Sequence, residues 1–247
     1  AVDNASVESE REQIRELCRT APHFHMVTSK ENVGYFAGLN LGLERQQQLM
    51  PDADFVIVGN NDIEFAAQFV EALSKTLESN TKHLVICPNI IDAQGRHQNP
   101  HIVNRISWRR ERLYDLYYAN YQLSRILGPV IPTLAKLIPR SKKREHTKRR
   151  EIYAGHGSCF ILTRQFFEVF HQLPARSFLY MEERFLAEAL RSRNMTMLYE
   201  PSVKIHHHGH GAFRKIPQRE IWQYYRSAHR TFRELYFDGR ATASTPK

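Results

Sequence analysis

Helical and extended segments alternate along this chain, which predicts an α/β fold with a mostly parallel sheet and helices on both faces. Two local patterns agree with that class. The apolar run Asp54-Phe-Val-Ile-Val58 ends in the oxygen-rich turn Gly59-Asn-Asn-Asp62, and open α/β sheets bind ligands at the carboxyl ends of their strands. Upstream, Asn32-Val-Gly34-Tyr-Phe-Ala-Gly38-Leu-Asn40-Leu-Gly42 places glycines where a loop runs into a helix, so that backbone can approach a ligand closely.

Taken in order, apolar residues at helical spacing mark 8–20, a short strand follows at 25–28, and the glycine loop leads into a helix at 37–48. A buried strand at 54–58, a helix at 65–77 and a strand at 84–88 continue the alternation. Beyond a basic stretch come a strand at 158–162, helices at 164–171 and 184–193, extended segments at 196–199 and 203–206, and an aromatic-rich helix at 221–235. Residues 241–247 read as a disordered tail. No internal repeat is evident.

A chain of 247 residues with 42% hydrophobic content can bury a real core, and one domain over 1–240 accounts for it. No run approaches the roughly 18 apolar residues of a membrane span, so a soluble protein is expected. Cys18, Cys87 and Cys159 are odd in number and lack a C-x-x-C pattern, which argues against a disulfide framework or a zinc knuckle and favours a reducing cytoplasm.

The net charge of +9 belongs to one region. Residues 105–150 hold 13 Lys/Arg against Glu111, Asp115 and Glu145, within an insertion at about 97–150 that also carries Trp108, Tyr114, Tyr117, Tyr118 and Tyr121. Pro129, Pro132 and Pro139 break any long helix there, so short helical pieces are expected. Basic and aromatic residues so mixed suit an anionic membrane surface; they also suit a nucleic-acid backbone, or a solvated hairpin with a basic loop.

Three constellations carry chemistry. Glu182 and Glu183 stand between aromatics in Phe178-Leu-Tyr-Met-Glu-Glu-Arg-Phe-Leu186. Burial and a neighbouring acid raise a carboxyl pKa toward that of a general base, while a pair in a first helical turn can also simply complement the macrodipole. The turn holding Asn60, Asn61, Asp62 and Glu64 suits Mg²⁺ or Mn²⁺ bridging phosphates, although Asn-Asn-Asp also makes a turn with no ligand. In Ile205-His-His-His-Gly-His-Gly211, adjacent strand residues point to opposite faces. One face then holds His206 and His208, or His207 alone, and one functional histidine is expected.

The collinear order is more specific than any single motif. Asp3-Asn-Ala-Ser6, Asn32-x-Gly34 with Asn40, Asn60-Asn-Asp62, Gly157-Ser-Cys-Phe-Ile-Leu162, Tyr180-Met-Glu-Glu183 and Pro201 followed by His207 resembles the family 2 glycosyltransferases, the bacterial rhamnosyltransferase-like enzymes most closely, over roughly residues 1–211. The resemblance implies a GT-A fold and inverting transfer from a nucleotide-sugar donor, a dTDP- or UDP-sugar, to a glycan or polyprenyl-linked acceptor of the cell envelope. It implies that Asp3 contacts the nucleotide base or ribose, and that Asn32, Gly34, Asn40 and Asn61 line the nucleotide site. It further implies that Asp62 and His207 hold Mg²⁺ or Mn²⁺, and that Glu183, paired with Glu182, is the general base. A cytoplasmic protein peripheral on the inner membrane face follows, with nucleic acid not the expected partner.

Two departures qualify the match. Where family members often carry Arg six residues after the base, this chain has Ala189, with Arg191 and Arg193 nearby. The chain also opens on Ala1-Val-Asp3, the end of a strand, so the family's first strand, first helix and most of its second strand, roughly 35 residues of a βαβ unit, are expected to be missing, with weak nucleotide binding as the result. Rival readings are a nucleic-acid binder working through 105–150 and a catalytically inactive relic.

Overall fold

The computed structural model describes residues 1–21, 23–80, 82–128, 145–209 and 217–237. The proposed tail at 241–247 lies outside them. Strands β1 (Val2–Asn4) and β2 (Val27–Ser29) flank helix α1 (Glu8–Thr20) and pair in parallel as a separate two-stranded sheet. Helix α2 (Tyr35–Leu49) then leads to β3 (Phe55–Gly59), β4 (Ile63–Phe65), α3 (Phe69–Ser79) and the long β5 (Val85–Asp92). The basic insertion supplies α4 (Trp108–Ala119) and α5 (Tyr121–Leu127), short pieces as expected up to Leu127. Strands β6 (Arg150–Ile152) and β7 (Cys159–Thr163) follow, then α6 (Arg164–Val169), α7 (Glu182–Arg191), β8 (Met197–His207) and α8 (Gln218–Tyr236).

The six-stranded sheet runs β3-β7-β5-β8-β4, with β6 also on β8. Its pairing is more mixed than the alternation of elements implies: β5 and β8 run parallel, whereas β7, β4 and β6 pair antiparallel with their neighbours. The reason is connectivity. β7 follows a long excursion from β5 that lets the chain re-enter from the opposite end, and β4 leaves β3 through a tight turn. Phe65 is a correction of the same origin, since its pairing with Ile205 makes it the end of a strand where periodicity alone read the start of a helix.

Successive β7 residues take opposite faces, and this divides the core. Phe160 and Leu162 join Phe36 and Leu43 of α2 and Leu186 and Leu190 of α7; Cys159 and Ile161 join Phe69 and Leu73 of α3. Helices therefore cover both faces. Each fully buried side chain of this size contributes about 1.5–3 kcal/mol through apolar burial. Strand β8 is continuous where two extended segments were expected, with one irregularity: Pro88 faces Glu200 and Asn89 faces Lys204, so residues 201–203 bulge. Pro201 fits there because a bulge asks for no ladder N–H from it.

Candidate active site

The turn after β3 and the end of β8 bring Asp62 and His207 together. Ile63 pairs with His207, and the His208 N–H donates to the Asp62 carbonyl at 2.9 Å, so the ladder sets both side chains on one face. His207 Nε2 lies 3.2 Å from Asp62 Oδ1 and accepts from Asn60 Nδ2 at 3.3 Å. His207 Nδ1 lies 3.0 Å from Gln98 Oε1; with the ring proton on Nδ1 this contact is a hydrogen bond, and Nε2 is left as the acceptor facing Asn60 and the carboxylate. Two acceptors at that separation fit a cation between them. Asp62 and His207 would supply two ligands to such an ion, and Mg²⁺ or Mn²⁺ commonly completes its shell with substrate phosphates and water. As the strand geometry predicts, His207 alone takes this face, while His208 Nε2 turns to Glu64 Oε2 at 3.1 Å.

A chain of contacts leads from this pair to the acids of α7. The Tyr35 hydroxyl stands 2.8 Å from Asn60 Oδ1 and 2.9 Å from the Gly157 carbonyl oxygen. A Cβ on Gly157 would in turn sit 3.9 Å from Glu183 Oε2. By a second route, His101 Nε2 lies 3.8 Å from Glu183 Oε1, and the His156 ring stands 5.3 Å from His101 and 6.1 Å from His207. Two short chains of contacts, through Tyr35 with Gly157 and through His101 with His156, thus connect Glu183 to the Asp62 and His207 pair.

The two acids of α7 are not equivalent. The Glu183 side chain keeps 18% of its surface exposed, toward His101, whereas Glu182 is 5% exposed and its Oε1 has no hydrogen-bond partner among the described residues. Burial, then the charge of Glu183, push the Glu182 carboxyl up to about 7. Burial also raises Glu183, against the opposing pull of Arg184. His156, buried and beside His101 and His207, is pushed down to about 3 and stays neutral.

The segment leading into α7 is strained. Tyr180 and Met181 have φ of 69° and 64°, left-handed values that cost a side chain roughly 1–2 kcal/mol each. Packing holds them there: Tyr180 stacks on Tyr225 of α8 at 3.9 Å, Phe178 stacks on Tyr224 at 5.2 Å, and the Tyr35 N–H donates to the Phe178 carbonyl at 2.9 Å. Gly34, at φ 92°, lies so close that a Cβ would strike that carbonyl, which explains the glycine. Arg184, next in the helix, pairs with buried Glu111 of α4 and lies over Phe232 of α8 at 4.1 Å. His229 of α8 completes the cluster through Asp115 at 2.8 Å. Part of the basic insertion is therefore internal scaffold, and Arg105 likewise pairs with buried Glu188 at 2.6 Å.

Two residues predicted to meet the nucleotide are held by partners within the protein. Asp3 is 1% exposed and accepts from the Ser6 N–H at 2.8 Å and Arg11 Nε at 2.7 Å. Burial pushes its carboxyl up, and those hydrogen bonds more than reverse the effect, leaving it below the ordinary range as a brace for the β1–α1 turn. Asn40 is buried and exchanges two hydrogen bonds with the Leu173 backbone, at 2.9 and 2.8 Å, so it too is structural. Asn32 is exposed, and its Oδ1 accepts from Asn4 Nδ2 and the Gly34 N–H; Asn61 is exposed at the tip of its turn. Arg191 is bound to Glu188 and Arg193 lies 5.6 Å from the Phe170 ring, so neither replaces the arginine absent at Ala189. Sequence reasoning missed Tyr35, Gln98, His101 and His156.

This scaffold, with acids at strand and helix ends, is a GT-A glycosyltransferase fold. The chain superposes over 83% of its length on the crystal structure of GalNAc-T7 with UDP, GalNAc and Mn²⁺, with a TM-score of 0.52 and 13% identity, covering 36% of that chain. Residues 1–170 match Glycosyl transferase family 2, and the protein belongs to that family. It is similar to the N-acetylglucosaminyl-diphospho-decaprenol L-rhamnosyltransferase of Mycobacterium tuberculosis, at 21% identity over 219 residues, 84% of this chain and 66% of the relative. It is also similar to the low-salt glycan biosynthesis hexosyltransferase Agl10 of Haloferax volcanii, at 25% identity over 196 residues, 79% of this chain and 54% of that protein.

Proposed function

We propose that the protein is an inverting glycosyltransferase that moves a sugar from a dTDP- or UDP-sugar to a hydroxyl of a polyprenyl-linked or polysaccharide acceptor. The observation that carries this reading is the short run of contacts, through His101 and His156 and through Tyr35 and Gly157, that connects Glu183 to the Asp62 and His207 pair. Glu183 takes the proton of the acceptor hydroxyl as that oxygen attacks the anomeric carbon; its raised affinity for protons and its partial exposure suit a base. Glu182 stays beneath it and favours protonation of the pair. Asp62 and His207 would hold Mg²⁺ or Mn²⁺, which supplies Lewis-acid neutralisation of the departing diphosphate. Base and cation at opposite ends of one displacement produce inversion without a covalent intermediate. Residues 1–240 act as one domain in this reading, and Asn32, Gly34 and Asn61 border the nucleotide.

The relative from M. tuberculosis carries a lipid-linked diphosphate acceptor in its name, and the same acceptor class is proposed here. No helix among the described residues is long and apolar enough to cross a membrane. Trp108, Leu116 and Ile126 are exposed on α4 and α5 beside Arg109, Arg112 and Arg125, which favours docking of that face on the anionic inner leaflet. Transfer from a panel of nucleotide sugars with Mn²⁺ tests the assignment. Glu183→Gln is expected to lower kcat by roughly 10²–10⁴-fold, and Asp62→Ala to abolish the metal requirement together with transfer. Turnover indifferent to either substitution would sink the reading.

A further inference from the structure

Where α4 passes into α5, a cavity of about 360 Å³ opens against the first turns of α8. Arg219, Trp222, Gln223 and Arg226 of α8 line it, facing Asn120 and Gln122, and no acidic residue is among its lining. Trp222 is 9% exposed, and its indole Nε1 is buried with no hydrogen-bond partner among the described residues. Leaving such a donor unpaired costs about 1–3 kcal/mol, which a ligand oxygen would recover. The Arg226 guanidinium lies 5.3 Å from the Trp222 ring centroid, and Tyr121 meets that ring at 5.5 Å, so the indole and one cation are held in place. Two guanidinium groups, an indole N–H and side-chain amides form a donor-rich wall suited to an anion with several oxygens.

The position of the cavity narrows the choice of anion. Just along α8, Tyr224 and Tyr225 stack on the loop that presents Glu182 and Glu183. On its other side, the α4–α5 hairpin exposes Trp108, Leu116 and Ile126. We propose that this cavity binds the diphosphate of a polyprenyl-linked acceptor, with the sugar directed toward Glu183 and the lipid along the exposed face of α4 and α5. The inference rests on the lipid-linked acceptor proposed above and adds the site that recognises it.

The protein has two tryptophans, so Trp108→Phe leaves Trp222 as its sole indole reporter. That protein is titrated under EDTA, which removes any divalent ion, with inorganic pyrophosphate and with neutral phosphatidylcholine vesicles that contain or lack a polyprenyl diphosphate. A saturable change in Trp222 emission is expected with both diphosphates, with the lipid-borne one binding more tightly. Arg219→Gln with Arg226→Gln should weaken it by roughly tenfold or more, and Arg226→Lys, which keeps the charge but loses the fork, by less. Circular dichroism confirms that these exposed substitutions leave the fold intact. No emission change, or one indifferent to the arginines, overturns the proposal; pyrophosphate binding as tight as the lipid form overturns the acceptor assignment and leaves a site for soluble phosphates. Transfer assays on the same samples separate the failures: turnover without the emission response overturns only this cavity's role, and the response without turnover overturns only the transferase reading.

Discussion

Asp62 and Glu183 are joined by a few contacts, yet the first is held by backbone ladders and the second by side-chain packing. Around Asp62, the β4–β8 pairing fixes the chain, and the polar contacts of His207 with Asn60 and Gln98 orient the imidazole. Around Glu183, two left-handed residues precede the helix, and they stay in place because α8 aromatics stack on them and because Arg184 is tied to Glu111. A site built on strands can tolerate change in distant helices, whereas a site built on a clamped loop depends on every helix in the clamp. In this protein the clamp includes the basic insertion, which binds one half of the active site to the segment proposed to meet the acceptor.

Substitutions that attack one support and spare the other test this contrast. The largest effect is expected from Glu111→Ala, which leaves Arg184 buried without its carboxylate and should destabilise the protein by about 3–5 kcal/mol in urea denaturation. A loss below about 1 kcal/mol would show that the cluster is not a support.

Glu182→Gln acts next, through pH. The folded state raises this carboxyl from 4.5 to about 7, so it binds a proton more tightly than the unfolded chain does. Wild-type stability should therefore be fully present below pH 4.5, fall as pH climbs toward 7, and level off above. The uncharged variant escapes the decline, and thermal melts at pH 8 should show it more stable by up to about 3 kcal/mol, with no gain at pH 4.

On the strand side, Gln98→Leu removes the partner that fixes the His207 tautomer and should weaken metal affinity by roughly 10–100-fold while hardly moving the melting temperature. Isothermal titration with Mn²⁺ reads that split. The smallest effect belongs to Tyr225→Leu, which keeps apolar bulk but loses the ring stack on Tyr180, worth about 0.5–1.5 kcal/mol. Its signature is a fall in kcat larger than the stability loss alone explains, as expected for a clamp that positions the base.

Much of the fold was legible because it rests on local pattern. Periodicity placed α1 at its observed bounds, and the apolar runs marked β3, β5 and β7 to within a few residues at each end. Strand alternation divides the histidines into His206 with His208 or His207 alone, and the fold turns His207 to Asp62 and His208 to Glu64. What stayed hidden depends on chain segments meeting in space. Tyr35 looks like one more aromatic in an amphipathic helix, and only the fold sets its hydroxyl between Asn60 and Gly157. Gln98 and His101 follow the carboxyl end of β5, where ligand-binding residues collect, and that position was the available signal. Asp3 and Asn40 show the complementary limit: a polar residue inside a motif is also buried to satisfy backbone groups, which its type alone does not reveal. The short β4 goes unread, and periodicity assigns its last residue, Phe65, to the following helix, because three residues carry too little period to outweigh a neighbouring amphipathic run.

The bulge at 201–203 decides which of three identical rings faces Asp62. Beyond it, Ile205, His206 and His207 are gripped on one side by Ile90, Ile91 and Asp92 and on the other by Phe65, Glu64 and Ile63. Strand geometry counts in twos, so a slip by one residue would break both grips and present a different histidine to Asp62. A one-residue change in the length of that bulge could thus swap the imidazole beside Asp62 while every side chain in the triplet stayed the same. For this protein the spelling of the triplet matters less than the counting that precedes it.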